Sequence, residues 1–172
     1  MKRSLVTKNK TNKLVLSSMM IALVFIATFV TKVPLPGNNY FNLGDGIIVF
    51  AGFLLGPIPA MISGAFGSAL ADYVGGYTMW IPITFIVKGL EGLVAGIIFK
   101  KLKDELIPIS TFIAMLIMPI GYFLGEWLIL SLVDKTLGMV SAISSLITNT
   151  VQFFACFILA TILIFGLKRF KM

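Results

Sequence analysis

Residues 14–31 form an apolar run without a charged side chain, and five more apolar segments follow it. A hydrocarbon layer of about 30 Å is crossed by about 20 helical residues at 1.5 Å of rise each. In a chain of 172 residues, six such helices leave about 52 for tails and loops. Composition agrees. Hydrophobic residues make up 58% and charged residues 12%, against about 45–50% and about 25% in soluble domains. The mean hydropathy is +1.02. A soluble enzyme and a large multidomain transporter are both excluded. The expected fold is an all-α membrane protein, with residues 1–172 forming one compact bundle of six transmembrane helices.

The residues that are missing exclude further classes. The chain has no histidine, so histidine-activated nucleophiles and histidine metal sites are ruled out. Its one cysteine, Cys156, lies in an apolar run and leaves neither an intrachain disulfide nor a cysteine-rich metal site. No P-loop, Asp-rich phosphotransfer motif or nucleophile elbow is present; Gly64-Ala65-Phe66-Gly67-Ser68 has the wrong order. Neither a metal nor a cofactor is expected, and no catalytic residue. If the chain moves something uphill, the energy comes from elsewhere.

Reading apolar runs against polar breaks places the spans at 14–31, 44–55, 59–74, 78–99, 106–133 and 139–167. The polar segment 32–43, with Pro34, Pro36 and Gly37, is an expected lid loop. Basic residues set the orientation. Lys2, Arg3, Lys8, Lys10 and Lys13 sit in the tail 1–13, Lys100, Lys101 and Lys103 follow the fourth span, and Lys168, Arg169 and Lys171 end the chain. With six spans these eleven of the fourteen cations share one side, leaving Lys32 and Lys135 opposite and Lys88 inside. Positive residues favour the cytoplasm, so both termini are expected there and the 32–43 loop outside. The net charge of +7 thus reports topology rather than nucleic-acid binding. The first run lacks a small-residue cleavage site and is read as a retained span, not a signal peptide.

Charged groups within hydrocarbon cost at least about 2.5–3.5 kcal/mol on insertion scales and therefore need a reason. Lys88 and Glu91 lie at i, i+3 on the fourth span, close enough for an intramembrane ion pair. Trp80 and Thr84 extend the same face. Either the pair locks helices together, or at least one member lines a ligand cavity or contacts a partner helix. More polar groups gather toward the outer half: Asp45, Asp72, Tyr73, Tyr77, Tyr122, Glu126, Trp127, and Ser145, Asn149 and Gln152 at i, i+4, i+7. Asp45 also suits a helix N-terminus, the interfacial aromatics an aromatic belt, and Asn149 an interhelical hydrogen bond. Their concentration in one half of the bilayer points to a pocket open to the outside. Small residues form a second pattern. Ala60, Gly64 and Ser68 make a ridge on the third span that suits an intrachain neighbour, and Ser18 and Ala22 a weaker one on the first.

Four motifs taken together resemble a known family: Asn42-Leu43-Gly44-Asp45, Gly56-Pro57, Ala71-Asp72 before Gly75-Gly76-Tyr77, and Lys88-Gly89-Leu90-Glu91-Gly92. The set is similar to substrate-binding S components of energy-coupling factor (ECF) vitamin transporters, in the riboflavin and hydroxymethylpyrimidine/pyridoxine branch. The resemblance implies a six-helix plasma-membrane protein that binds a vitamin or precursor under the first long loop. It implies delivery by toppling on a T subunit driven by two cytoplasmic ATPases. Docking in that family uses small residues on the first helix, which Ser18 and Ala22 match in part, Ile26 replacing a third small residue.

The expected substrate-binding residues are Tyr40, Asn42, Asp72, Tyr77, Trp80, Thr84, Lys88, Tyr122, Glu126 and Asn149. Aromatic stacking plus hydrogen bonding suits a small polar heteroaromatic: a pyridoxine-like compound or hydroxymethylpyrimidine first, riboflavin next. A stand-alone facilitator or channel, and a ligand-free membrane scaffold, are the alternatives.

Overall fold

The structure, a computed structural model, describes residues 10–35, 39–102 and 104–170, with the side chains of residues 104 and 170 left aside. In chain order it comprises α1 (Lys10–Val30), a hairpin of β1 (Val33–Leu35) and β2 (Asn39–Phe41), α2 (Gly44–Leu55), α3 (Pro57–Gly75), α4 (Ile81–Lys101), α5 (Ile107–Met115), α6 (Ile117–Ile129) and α7 (Lys135–Phe170). Among the described residues, four helical segments are long and apolar enough to cross a membrane. They are Lys10–Val30, Thr78–Lys101, Ile107–Leu132 and Lys135–Arg169, whereas α2 is a shorter apolar helix. The chain is an all-α membrane protein, with one small hairpin among the described residues.

Local chemistry explains the breaks. Gly56 separates α2 from α3 with φ of 88°, a left-handed value open to glycine, and Pro57 then starts α3 where no amide donor is needed. The expected fifth span is divided at Leu116 into α5 and α6. Pro119 has no N–H to offer the carbonyl one turn back, so the helix falters there. Helix α7 begins earlier than expected because Asp134 Oδ1 accepts hydrogen bonds from the Thr136 and Leu137 amides at 2.7 and 2.9 Å. Its 36 residues span about 54 Å, more than the hydrocarbon core requires. Helix α1 starts at Lys10 and absorbs the end of the expected 1–13 tail, whose residues 1–9 lie outside the described residues.

The expected loop 32–43 contains the antiparallel hairpin, with Val33 opposite Phe41 and Pro34 opposite Tyr40. Residues 36–38, including Pro36 and Gly37, lie outside the described residues.

The small-residue ridge is consumed within the chain. Ala60 is fully buried and Ser68 nearly so. A β-carbon on Gly92 of α4 would collide with the Ala60 carbonyl of α3, so the two backbones touch there. Toward the end carrying Lys100, Lys101 and Lys168, an apolar core joins Phe53, Phe99, Ile107, Met115, Met118, Phe153 and Ile164. Ser18 and Ala22 face outward on α1. Polar side chains concentrate near the hairpin.

Candidate functional site

Beneath the hairpin lies a small pocket with a cavity volume of about 30 Å³. It is lined by Asn39, Tyr40, Asn42, Asp72, Tyr77, Trp80, Thr84, Tyr122, Glu126, Asn149 and Gln152. Nine of the ten residues expected from sequence meet there, and Lys88 does not. Asn39 and Gln152 complete the lining. Gln152 falls in the helical series with Ser145 and Asn149, but spacing alone did not fix which of that face reaches a ligand. Asn39 sits in a three-residue strand too short to leave a periodic signal.

The aromatic wall is built by short connections. Gly76 ends α3 in a left-handed conformation, and Tyr77 and the single turn Thr78–Trp80 lead into α4. This places Tyr40 and Tyr77 with ring centroids 4.7 Å apart and Tyr77 and Trp80 at 6.4 Å. Trp80 Nε1 donates to Glu126 Oε1 at 3.0 Å, and Ser145 Oγ donates to Glu126 Oε2 at 2.6 Å. Glu126 is thereby fixed between α4 and α7. The Thr84 and Tyr122 hydroxyls hydrogen-bond at 2.9 Å across α4 and α6.

The hairpin is bonded to the pocket on both sides. Tyr40 Oη donates to Asp72 Oδ1. Asn39 Nδ2 donates to Ser144 Oγ at 3.0 Å, and the Asn42 backbone and side-chain amides both donate to Gln152 Oε1, at 2.8 and 3.1 Å. Burial and the neighbouring Asp72 charge push the Tyr40 phenol well above its ordinary pKa, so it stays a donor.

Lys88 lies behind the pocket floor, with its ammonium 5.1 Å from the centre of the Tyr122 ring. Its direct partner is Asp45 of α2, and Gln152 Nε2 donates to the other Asp45 oxygen at 2.7 Å. Glu91 stands farther off, 3.9 Å from the Lys88 ammonium. The expected Lys88–Glu91 pair is thus the weaker arm of a cluster dominated by Asp45. The i, i+3 rule sees only partners on one helix, whereas Asp45 comes from another.

Two pocket atoms stay unsatisfied. Asp72 Oδ2 and Asn149 Nδ2 are buried without a hydrogen-bond partner in suitable geometry, although Thr84 lies beside Asp72. Buried polar groups are normally paired, so an acceptor and a donor open among the described residues leave hydrogen-bonding capacity free in the pocket.

Residues 8–169 match the family described as ECF-type riboflavin transporter, S component. The chain belongs to this family. Its curated relatives include the thiamine precursor transporter HmpT of Lactococcus lactis subsp. cremoris (strain MG1363). That protein is 32% identical over 153 residues, covering 88% of this chain and 84% of HmpT. An uncharacterized protein in a gap 3′ region of Pyrococcus woesei is 34% identical over 101 residues, covering 58% of this chain and 68% of the relative. As an S component the protein is a substrate-binding subunit for uptake of a vitamin or vitamin precursor, and a transporter component rather than an enzyme.

Proposed function

We propose that this S component captures a small pyrimidine or pyridine precursor, of the hydroxymethylpyrimidine or pyridoxine kind, in the pocket beneath the hairpin. The open Asp72 Oδ2 and Asn149 Nδ2 carry the reading. An aminopyrimidine edge offers a matching pair, an exocyclic amine that donates and a ring nitrogen that accepts. Tyr40, Tyr77 and Trp80 supply faces for stacking. Asn42, Thr84, Tyr122 and Glu126 complete the polar lining, and Lys88 acts from behind Tyr122 rather than at the ligand. Likeness to HmpT supports the same substrate class.

Six membrane spans carry the site in this reading: α1, α2, α3, α4, the broken α5–α6 pair, and α7. Both termini are cytoplasmic, the hairpin faces outward as a lid, and the protein resides in the plasma membrane. The segregation of Lys100, Lys101, Lys168 and Arg169 at the end opposite the pocket supports that orientation. Transport requires a T subunit and two cytoplasmic ATPases, with the exposed α1 face around Ser18 and Ala22 as the docking surface.

Titration calorimetry of the purified chain with hydroxymethylpyrimidine, pyridoxine and riboflavin tests the substrate. Saturable binding of a single-ring compound, with riboflavin weaker, is the expected result; no binding of either single-ring compound overturns it. Riboflavin is the second reading, favoured by the family description, and its imide edge also presents both hydrogen-bond types. At about 30 Å³ the pocket admits either ligand only when the Tyr40 roof moves, and three fused rings require the larger movement. Co-purification with a T subunit and two ATPases tests the assembly.

A further inference from the structure

Lys32 follows α1 and reaches over the pocket roof. Its ammonium lies 4.1 Å from the centre of the Tyr40 ring and 4.6 Å from that of Tyr77, with Phe29 at 5.8 Å. It also donates to the Ala71 carbonyl at 3.2 Å. A β-carbon on Gly75 would run into this ammonium, so the end of α3 leaves room for it. Three aromatic rings around one ammonium form the arrangement that proteins use to hold quaternary ammonium ligands. Here an internal side chain holds the place, and two of the rings, Tyr40 and Tyr77, also line the pocket.

We propose that Lys32 is a specificity-determining residue: as a resident cation in the Tyr40–Tyr77 cage, it bars positively charged ligands and restricts the site to neutral ones. The inference deepens the substrate reading above and rests on it for the identity of the neutral ligand. A permanently cationic ring entering the pocket would meet tyrosine faces already occupied and a like charge beside them. A neutral heteroaromatic is not repelled by Lys32, and Trp80 offers it a pocket-lining ring outside the cage. Discrimination by an occupied cage combines repulsion of the wrong ligand with ordinary contacts to the right one. Burial draws the Lys32 pKa below the ordinary lysine value, and the neighbouring Asp72 charge works the other way.

The experiment follows tryptophan fluorescence of the purified protein carrying Trp127→Phe, so that Trp80 is the reporter, in three series: hydroxymethylpyrimidine, thiamine (the pyrimidine joined to a cationic thiazolium), and tetramethylammonium. Wild type, Lys32→Ala, Lys32→Gln and Lys32→Arg are compared, each first shown to be monodisperse. In wild type, tetramethylammonium should give no saturable change. In Lys32→Ala and Lys32→Gln it should saturate, and the affinity ratio of thiamine to hydroxymethylpyrimidine should rise about tenfold, the worth of one desolvated cation–aromatic contact. Lys32→Arg should restore the wild-type pattern, which a merely structural lysine would not predict.

The proposal is overturned if folded Lys32→Ala or Lys32→Gln gains neither tetramethylammonium binding nor the changed ratio. Failure of wild type to bind hydroxymethylpyrimidine or pyridoxine overturns the substrate reading instead. The tetramethylammonium series then decides the cage on its own, because it needs no vitamin.

Discussion

Asp45 and Lys88, 43 residues apart, form a buried ion pair that joins α2 to α4, with Asp45 fully buried and Lys88 2% exposed. Removing one partner strands a charge in a low-dielectric interior, which costs about 3–5 kcal/mol, whereas removing both costs far less. Lys88→Met and Asp45→Asn should each lower the unfolding midpoint steeply, and the double variant should recover much of the loss. Thermal unfolding in detergent reads the cycle. A double variant as unstable as the sum of the singles would mean the two groups do not act as a pair.

Asp72 and Asn149 are expected to behave as ligand contacts. Asp72→Asn and Asn149→Leu should each weaken hydroxymethylpyrimidine binding at least about tenfold, since each leaves a ligand polar group unpaired. Asn149→Leu should leave stability unchanged or improved, because it removes a buried donor that has no partner. Calorimetry and thermal unfolding on the same samples separate the two effects. Full affinity in both variants would move the site elsewhere.

Trp80 combines a ring face with a donor to Glu126. Trp80→Phe keeps most of the face and orphans Glu126 Oε1, so a loss of about 1–3 kcal/mol in stability is expected. Trp80→Ala should also reduce ligand affinity, by removing the stacking surface. Equal affinity of Trp80→Ala and wild type would take α4 out of the binding wall.

The Tyr40–Asp72 bond sets an alkaline limit. The folded chain holds the Tyr40 proton well above 10.0, the value the unfolded chain follows. The stabilisation is therefore fully present below about pH 10 and is lost as pH rises toward the folded value, where only the unfolded state has released its proton. Wild type should lose stability relative to Tyr40→Phe in that alkaline range. Parallel pH profiles of the two proteins would refute the assignment.

Gly92 presses on the Ala60 carbonyl. Gly92→Val would force α3 and α4 apart, and a severe loss of folded yield is expected, by size-exclusion chromatography, beside near-normal yield for a change on the exposed surface such as Ile86→Val.

Much of this arrangement is legible in the sequence because the bilayer imposes strong rules. Apolar runs separated by Gly56-Pro57 and Gly75-Gly76 give the helix breaks, and polar side chains that cannot face lipid must gather inside. That reasoning brings Tyr40, Asp72, Trp80, Glu126 and Asn149 to one pocket without any coordinates. Pairings between helices are beyond it. Lys88 has a same-helix carboxylate three residues away, and nothing local reveals that Asp45, from another helix, lies closer. Lys32 looks like one of two stray external cations, since its cage is assembled from α1, β2 and the α3–α4 connection. The hairpin hides in a segment whose prolines and glycine read as loop, with strands of three residues each.

The hairpin's fastenings are unequal. Among the described residues, Asn39 and Asn42 make four hydrogen bonds toward α7, the Cys156 thiol included, whereas Tyr40 and the neighbouring Lys32 make one each toward α3. A lid motion that opened the α3 side would break the Tyr40–Asp72 bond and slide Tyr40 off the Lys32 ammonium, while the bonds of Asn39 and Asn42 held the α7 side. In the proposed lid reading, α7 serves as the pivot and Tyr40 as the catch, and the mouth uncovered first lies beside Asp72 and Tyr77.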